Sequence, residues 1–315
     1  MNELTTTRSN PLIDPHLHIW GHEVALYLFL GGMVAGIMVL TGLYYFIKGI
    51  DREAPGFIRN GMLASPILLS LGMLFLFLDL EHKPNVLRFY LTFQVTSPMS
   101  WGSWILIVIY PVSIAMIVLA NRGRWWVDWM PALSARVVPY WRAIALANVF
   151  FGALLGLYTG ILLSSFTARP FWNNGVLPPL FLISGISAGA AWMILFHDGR
   201  SVREKDELGL IKLGLIVTEI MALVLYISSM LASAANQHEA VFLVLGGPFT
   251  AQFWVFVVGI GLLVPPLLQG MELLHKLESR FVMPLLVLVG GLVLRMLVVQ
   301  AGQMSHVVQL TEVLR

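Results

Sequence analysis

Apolar residues in this chain fill whole stretches of about twenty positions, with short polar runs between them. A helix that crosses a bilayer needs roughly 20 mostly apolar residues. Eight stretches qualify: residues 23–47, 60–80, 101–119, 142–165, 177–196, 212–231, 253–270 and 283–300. Trp20, Trp101, Trp141, Trp172 and Trp254 stand at or near their ends, where an amphipathic ring suits the membrane–water interface. Pro66, Pro111 and the Pro265-Pro266 pair fall inside them and predict kinks, because neighbouring helices can satisfy the carbonyls a proline leaves unpaired. The pattern predicts an all-α membrane protein with eight transmembrane helices. Residues 1–22 and 301–315 would be outer terminal segments flanking a membrane domain over 23–300. Helices one to four and five to eight are expected to form two four-helix bundles, with no sequence repeat between the halves. Between residues 122 and 141, Trp125, Trp126 and Trp129 lie among charges, which fits either a short amphipathic helix or an interfacial loop. A surface or re-entrant helix is expected over 237–247.

Composition agrees with the pattern. The hydrophobic fraction is 58% and the charged fraction 11%, against about 45–50% and about 25% in soluble domains. There is no cysteine, so neither a disulfide framework nor a cysteine-held cluster can form. The first residues, Asn2, Glu3 and Thr5 to Thr7, are polar. No short apolar run with a cleavage site precedes the first long stretch, so the first helices are expected to serve as their own insertion signal. A bacterial or archaeal cytoplasmic membrane is the expected location.

Lysine and arginine set the orientation. The connections after helices one, three, five and seven carry Lys48, Arg52, Arg59, Arg122, Arg124, Arg136, Arg142, Arg200, Arg203, Lys205, Lys212, Lys276 and Arg280. The opposite side carries only Arg8, Lys83, Arg88, Arg169 and Arg315. Both termini are therefore expected outside.

That orientation sorts the polar residues by depth. Glu23 opens helix one, and Tyr27 lies one turn deeper on the same face. Asp79 and Glu81 end helix two; being two apart, they point to different faces. Helix four carries Gly152, Gly156 and Gly160, whose spacing lets a neighbouring helix come close, and among them Tyr158, about 10 Å below the helix end at 1.5 Å per residue. The backbone then leaves through Arg169-Pro170-Phe171-Trp172-Asn173. Helix eight adds Arg295, Gln300 and Gln303 at the same end. A charge within a span costs about 2.5–3.5 kcal/mol on insertion scales and is a functional candidate by default. The plainer readings are that Glu23 and Asp79 cap helix ends, that Tyr158 is a core tyrosine bonded to a carbonyl, and that Arg295 clamps helix termini or an acidic partner. Toward the inner side, His197, Glu219 and Glu272 could form a proton path; Glu219 could equally be a structural carboxyl.

None of the eight histidines sits in mid-helix, where the facing axial ligands of a membrane b-type haem would have to stand. No phosphate-cradling loop or nucleophile constellation is present either.

Four stretches resemble a known family: Tyr27 to Gly36, Thr96 to Trp104, Tyr158 to Asn173 and Gly290 to Gln303. In order, and at eight-span length, they are similar to the polysulfide reductase NrfD family of integral-membrane quinone/quinol-reactive subunits. The resemblance implies a membrane anchor without haem that takes menaquinone or ubiquinone as substrate near the outer face. It also implies a ferredoxin-like four-cluster iron–sulfur partner, with a molybdopterin catalytic subunit or multihaem cytochrome beyond it. The tyrosine matched by Tyr158 is placed beside the quinone in the family. The position matched by Tyr27 can be histidine there, and that matched by Glu23 asparagine. On this reading Glu23, Asp79 or Glu81, and Tyr158 carry the proton and hydrogen-bond chemistry, while Tyr27, Tyr158, Arg169 and Arg295 hold the quinone. Two rivals stand beside it. One is a proton-coupled transporter or channel without redox chemistry, using Glu219, Glu272 and a kinked seventh helix. The other is a purely structural anchor for a redox partner.

Overall fold

A computed structural model describes residues 20–50, 54–124, 127, 131–196, 202–273 and 281–305. Trp125, Trp126, Trp129, His197 and most of both terminal segments lie outside the described residues, and so does the Glu272 side chain.

Among the described residues the chain is helical, with no strand. The helices are α1 (His22–Lys48), α2 (Gly56–Asp79), α3 (Val86–Leu91), α4 (Pro98–Ala120), α5 (Pro131–Val137), α6 (Trp141–Ser164), α7 (Leu177–Leu195), α8 (Val202–Leu231) and α9 (Ala235–Leu245). A π-helix (Gln252–Leu263) then runs into α10 (Val264–Leu273), and α11 (Val282–Met304) is the last of the described helices. Eight helices are long and apolar enough to cross a membrane. They are α1, α2, α4, α6, α7, α8, the π-helix with α10, and α11, matching the eight apolar stretches.

The prolines act in two ways. Pro66 and Pro111 sit inside continuous helices, and the Ser70 hydroxyl donates to the Pro66 carbonyl at 2.7 Å. Ahead of Pro265-Pro266 the ladder widens to π-helical bonding, which re-registers the helix before two residues that cannot donate.

α1 is the central post, with 89% of its apolar window buried. It packs against α2, α6, α7 and α11. The crossing with α7 is close enough to require glycine. A Cβ at Gly189 would stand 2.6 Å from the Ile37 backbone nitrogen, and one at Gly185 2.6 Å from the Gly32 oxygen. With no hydrophobic drive between helices in lipid, such backbone approach supplies the packing attraction. The glycines of α6 serve the same end. Gly152 meets Met38 and Ala35 of α1, while Gly156 and Gly160 meet Leu182 and Pro178 of α7.

At the α1 N-terminal end three segments are tied together. The Trp20 N–H donates to Gln303 Oε1 at 3.0 Å, and Gln303 Nε2 returns a bond to the Trp20 carbonyl at 2.8 Å. Trp20 stacks on Trp172 at 5.2 Å between centroids and meets the edge of Phe166 at 5.1 Å. The Trp172 indole donates to the Val298 carbonyl at 2.7 Å.

Candidate functional site: a tyrosine-walled cavity

The tie fixes Trp20 over a cavity of ≈ 540 Å³, within the range of small-molecule sites, ≈ 300–1,000 Å³. α1 contributes Val24 and Tyr27; α2 contributes Ser70, Met73, Leu74, Leu76, Phe77 and Asp79. α3 adds Val86 and Tyr90, α4 adds Met99, Gly102, Ser103 and Leu106, and α6 adds Tyr158 and Leu162. Trp20, just before α1, and Leu80, just past α2, complete the lining, most of which is apolar.

Two phenols define the inner wall. Tyr27 is 2% exposed and Tyr158 5%. Among the described residues neither hydroxyl has a protein hydrogen-bond partner. Other tyrosines of the bundle do: Tyr45 donates to the Leu119 carbonyl at 3.4 Å, Tyr226 to the Phe171 carbonyl at 2.5 Å, and Tyr110 pairs with Ser70 at 2.9 Å. Both tyrosines line the cavity, so a ligand's oxygens could accept from these hydroxyls without displacing a protein partner. Tyr158 and Tyr90 both stand within electrostatic range of Tyr27. Tyr90, carried by the connector rather than by a span, is half-buried; burial first, then the Tyr110 phenol, push its hydroxyl pKa up. It therefore stays a neutral donor at physiological pH. Gly102 makes room for the second phenol, since any Cβ there would land on the Tyr158 ring and hydroxyl.

The polar end of the cavity carries the carboxylates. Asp79 lines it, and its Oδ1 accepts the Gly21 N–H at 3.2 Å. Glu23 stands beside it, because both carboxylates converge on the space a side chain at Gly21 would fill. α2 ends at Asp79, and Leu80 turns extended, which carries Glu81 out to an exposed position off the cavity.

Two arginines expected to hold a ligand line no part of it. Arg169 Nη1 donates to the Gln303 carbonyl at 2.5 Å and the Ser305 carbonyl at 3.0 Å, pinning the last turn of α11. Arg295 is 0% exposed. It donates to Ser184 Oγ at 2.6 Å and the Phe181 carbonyl at 3.0 Å, and lies 4.9 Å from the Phe181 ring centroid. It joins α11 to α7 over Gly32 of α1, in the manner of the clamp reading. Glu219, 5% exposed on α8, stands within electrostatic range of Arg295, so the sequence-distant cation near it is this arginine. Among the described residues no group of three His, Cys, Asp or Glu could hold a metal ion.

Two predictions arise here. Arg295→Ala removes charge-assisted bonds to Ser184 Oγ and the Phe181 carbonyl, about 1.5–3 kcal/mol each. Its melting temperature in detergent should fall by several degrees, with ligand affinity at the cavity changed little once folded. Gln303→Ala removes both bonds to the Trp20 backbone, each about 1 kcal/mol. It should release Trp20 from the cavity roof, read as faster hydrogen exchange at residues 20–24.

Tyr90, Gly102, Ser103 and Ser70 were not singled out as site residues from the sequence. Val86 and Tyr90 share one face of α3 at i and i+4, but in a six-residue helix that spacing does not say which face is inward.

A model of the polysulphide reductase NrfD family matches residues 10–307. Protein NrfD of Escherichia coli K12 is 29% identical, over 91% of this chain and 96% of that protein. A polysulfide reductase chain of Wolinella succinogenes is 28% identical, over 90% of the present sequence and 94% of its own. A selenate reductase subunit of Mesobacillus selenatarsenatis is 24% identical, over 82% of the present sequence and 69% of its own.

Proposed function

The chain belongs to the polysulphide reductase NrfD family, and we propose that it is the quinone/quinol-reactive membrane subunit of a reductase complex. The observation that carries the reading is the pair of buried phenols, Tyr27 and Tyr158, with unpartnered hydroxyls on one wall of a largely apolar cavity. A quinone is a flat apolar body with an oxygen at each end, and phenol donors bind such oxygens without a charge that would have to be desolvated. Quinol oxidation releases two electrons and two protons. The protons pass to the Asp79 carboxylate and on to Glu23, which borders the polar end. The electrons pass to an iron–sulfur partner docked at that end, ahead of a molybdopterin subunit or multihaem cytochrome. Reduction of a quinone runs the same steps backwards. The substrate is menaquinone or ubiquinone, and no haem takes part. The excess of Lys and Arg on the opposite connections supports an outward-facing cavity, with both termini outside a bacterial or archaeal cytoplasmic membrane. The grouping into two four-helix bundles and a proton path through Glu219, Glu272 and His197 belong to the same reading.

The test is binding. The purified protein in lipid nanodiscs, titrated with tail-less 2-methyl-1,4-naphthoquinone in a calorimeter, should take up one equivalent. Absence of saturable binding would remove the quinone reading.

A further inference from the structure

Three helix ends meet at the far end of the bundle from the cavity. Tyr45 marks the place, 18 residues past Tyr27 on α1, or about 27 Å at 1.5 Å per residue. α1 stops at Lys48, where Gly49 turns the chain with φ 78°; α2 starts at Gly56, and α4 stops at Ala120. The Tyr45 hydroxyl donates to the Leu119 carbonyl at 3.4 Å, and Arg122 Nη2 donates to the Ile50 carbonyl. Arg122 thereby ties the exit of α1 to the end of α4. Arg59 comes in from the start of α2. Its guanidinium and that of Arg122 both stand within electrostatic range of the Tyr45 hydroxyl, so two cations from different helices converge on one phenol. Both side chains are half-buried.

Among the described residues nothing neutralises this pair. No carboxylate bonds to either guanidinium, the first turn of α2 carries no acid, and Arg122 Nε is buried without a hydrogen-bond partner. Like charges held close and half out of water call for an anion, and the planar guanidinium fork matches the oxygens of a phosphate. The connections at this end also hold most of the lysine and arginine of the chain, the side expected to face the inner leaflet. What lies next to Arg59 narrows the anion further. Leu63 (37%), Ile67 (69%) and Leu71 (41%) follow it on α2 in steps of four and are exposed, an apolar strip running from the arginine into the bilayer. We propose that Arg59 and Arg122 bind the phosphate of an anionic phospholipid whose acyl chain lies along Leu63, Ile67 and Leu71. Basic pockets between transmembrane helices on the cytoplasmic side suit such headgroups. A free phosphate would meet the arginines but make no use of the strip. A zwitterionic lipid would bring a cation of its own to a site that already has two.

The test uses the full protein, purified in a nonionic detergent. Its melting temperature is followed during titration with phosphatidylglycerol, with phosphatidylcholine of the same acyl chains, or with inorganic phosphate. A ligand that binds the folded state raises the melting temperature as its concentration rises. Phosphatidylglycerol should act at a concentration about tenfold below phosphatidylcholine, since each basic residue at a lipid surface is worth about fivefold, and inorganic phosphate should have no effect. Arg59→Gln should move the phosphatidylglycerol titration about fivefold toward higher concentration. Arg142→Gln, at an exposed arginine of the same end that lies 5.1 Å from the Trp141 ring centroid, should leave it where it was. Each variant is compared with itself without lipid, so a change in its own stability drops out. Equal action of the two lipids, the same rise from inorganic phosphate, no shift from Arg59→Gln, or an equal shift from Arg142→Gln overturns the proposal.

Discussion

Tyr158→Phe should slow quinol turnover by the whole complex by roughly ten- to hundredfold, with assembly and membrane insertion unchanged. The substitution removes one oxygen. Because that oxygen has no protein partner among the described residues, nothing in the fold is left unpaired when it goes. A tyrosine bonded inside the core would behave differently: Tyr226→Phe would strand the Phe171 carbonyl, which the Tyr226 hydroxyl now satisfies at 2.5 Å. The loss at Tyr158 should therefore fall on the ligand. A site hydrogen bond to a ligand oxygen is worth about 1–3 kcal/mol, and each 1.36 kcal/mol is tenfold in rate. Gly102→Ala should reproduce much of the defect from the neighbouring helix, since its Cβ would occupy the position of the Tyr158 hydroxyl. Steady-state quinol oxidation with an artificial electron acceptor, beside a blot for the subunit in the membrane fraction, separates turnover from assembly.

Asp79→Asn should cost more, about 10²–10⁴ in turnover, the usual worth of a positioned acid–base group. Asparagine keeps the size and can still accept the Gly21 N–H, now made to Oδ1 at 3.2 Å, so the helix end stays capped. What disappears is a group able to take and release a proton at the cavity wall. Glu23→Gln should cost less, because Glu23 borders Asp79 without lining the cavity. If protons pass from one carboxylate to the other, the double variant should be no worse than Asp79→Asn alone, a non-additivity expected of residues acting in series. Glu81→Gln, at an exposed position off the cavity, should leave turnover unchanged. The readout is turnover across pH in the three acidic-site variants and their combination.

The spans were legible in the sequence because their signal is one-dimensional. Twenty apolar residues bounded by tryptophans and charges have few other readings in water or lipid. α8 begins at Val202 rather than near 212, since charged residues such as Arg203, Glu204 and Lys205 continue a helix as readily as apolar ones. The glycines of α6 were legible for a similar reason, their spacing of four naming a face before any neighbour was known. The candidate site was legible only in depth. Helical rise gives the level of Tyr158 and Arg295 along their helices, and both do lie within the last three turns, ahead of Ser164 and Met304. Azimuth is not in that arithmetic. Arg295 turns toward Phe181 and Ser184 of α7, Tyr158 toward Gly102 of α4, and nothing local to either residue decides which. Asp79 and Glu81 could be told apart only once the helix was seen to stop between them. Tyr90 stayed out of sight because a six-residue connector helix carries too little periodicity to announce which of its faces is inward.

The claim on which the account rests is that the Tyr158 and Tyr27 hydroxyls donate to the oxygens of a quinone. Infrared difference spectroscopy of the protein in nanodiscs, with naphthoquinone isotopically labelled at its carbonyls, reads those bonds directly. The account predicts carbonyl bands shifted to lower frequency than in the lipid alone, with Tyr158→Phe and Tyr27→Phe each returning one of them toward the unbonded position. Bound quinone whose carbonyl bands are indifferent to both substitutions would contradict it.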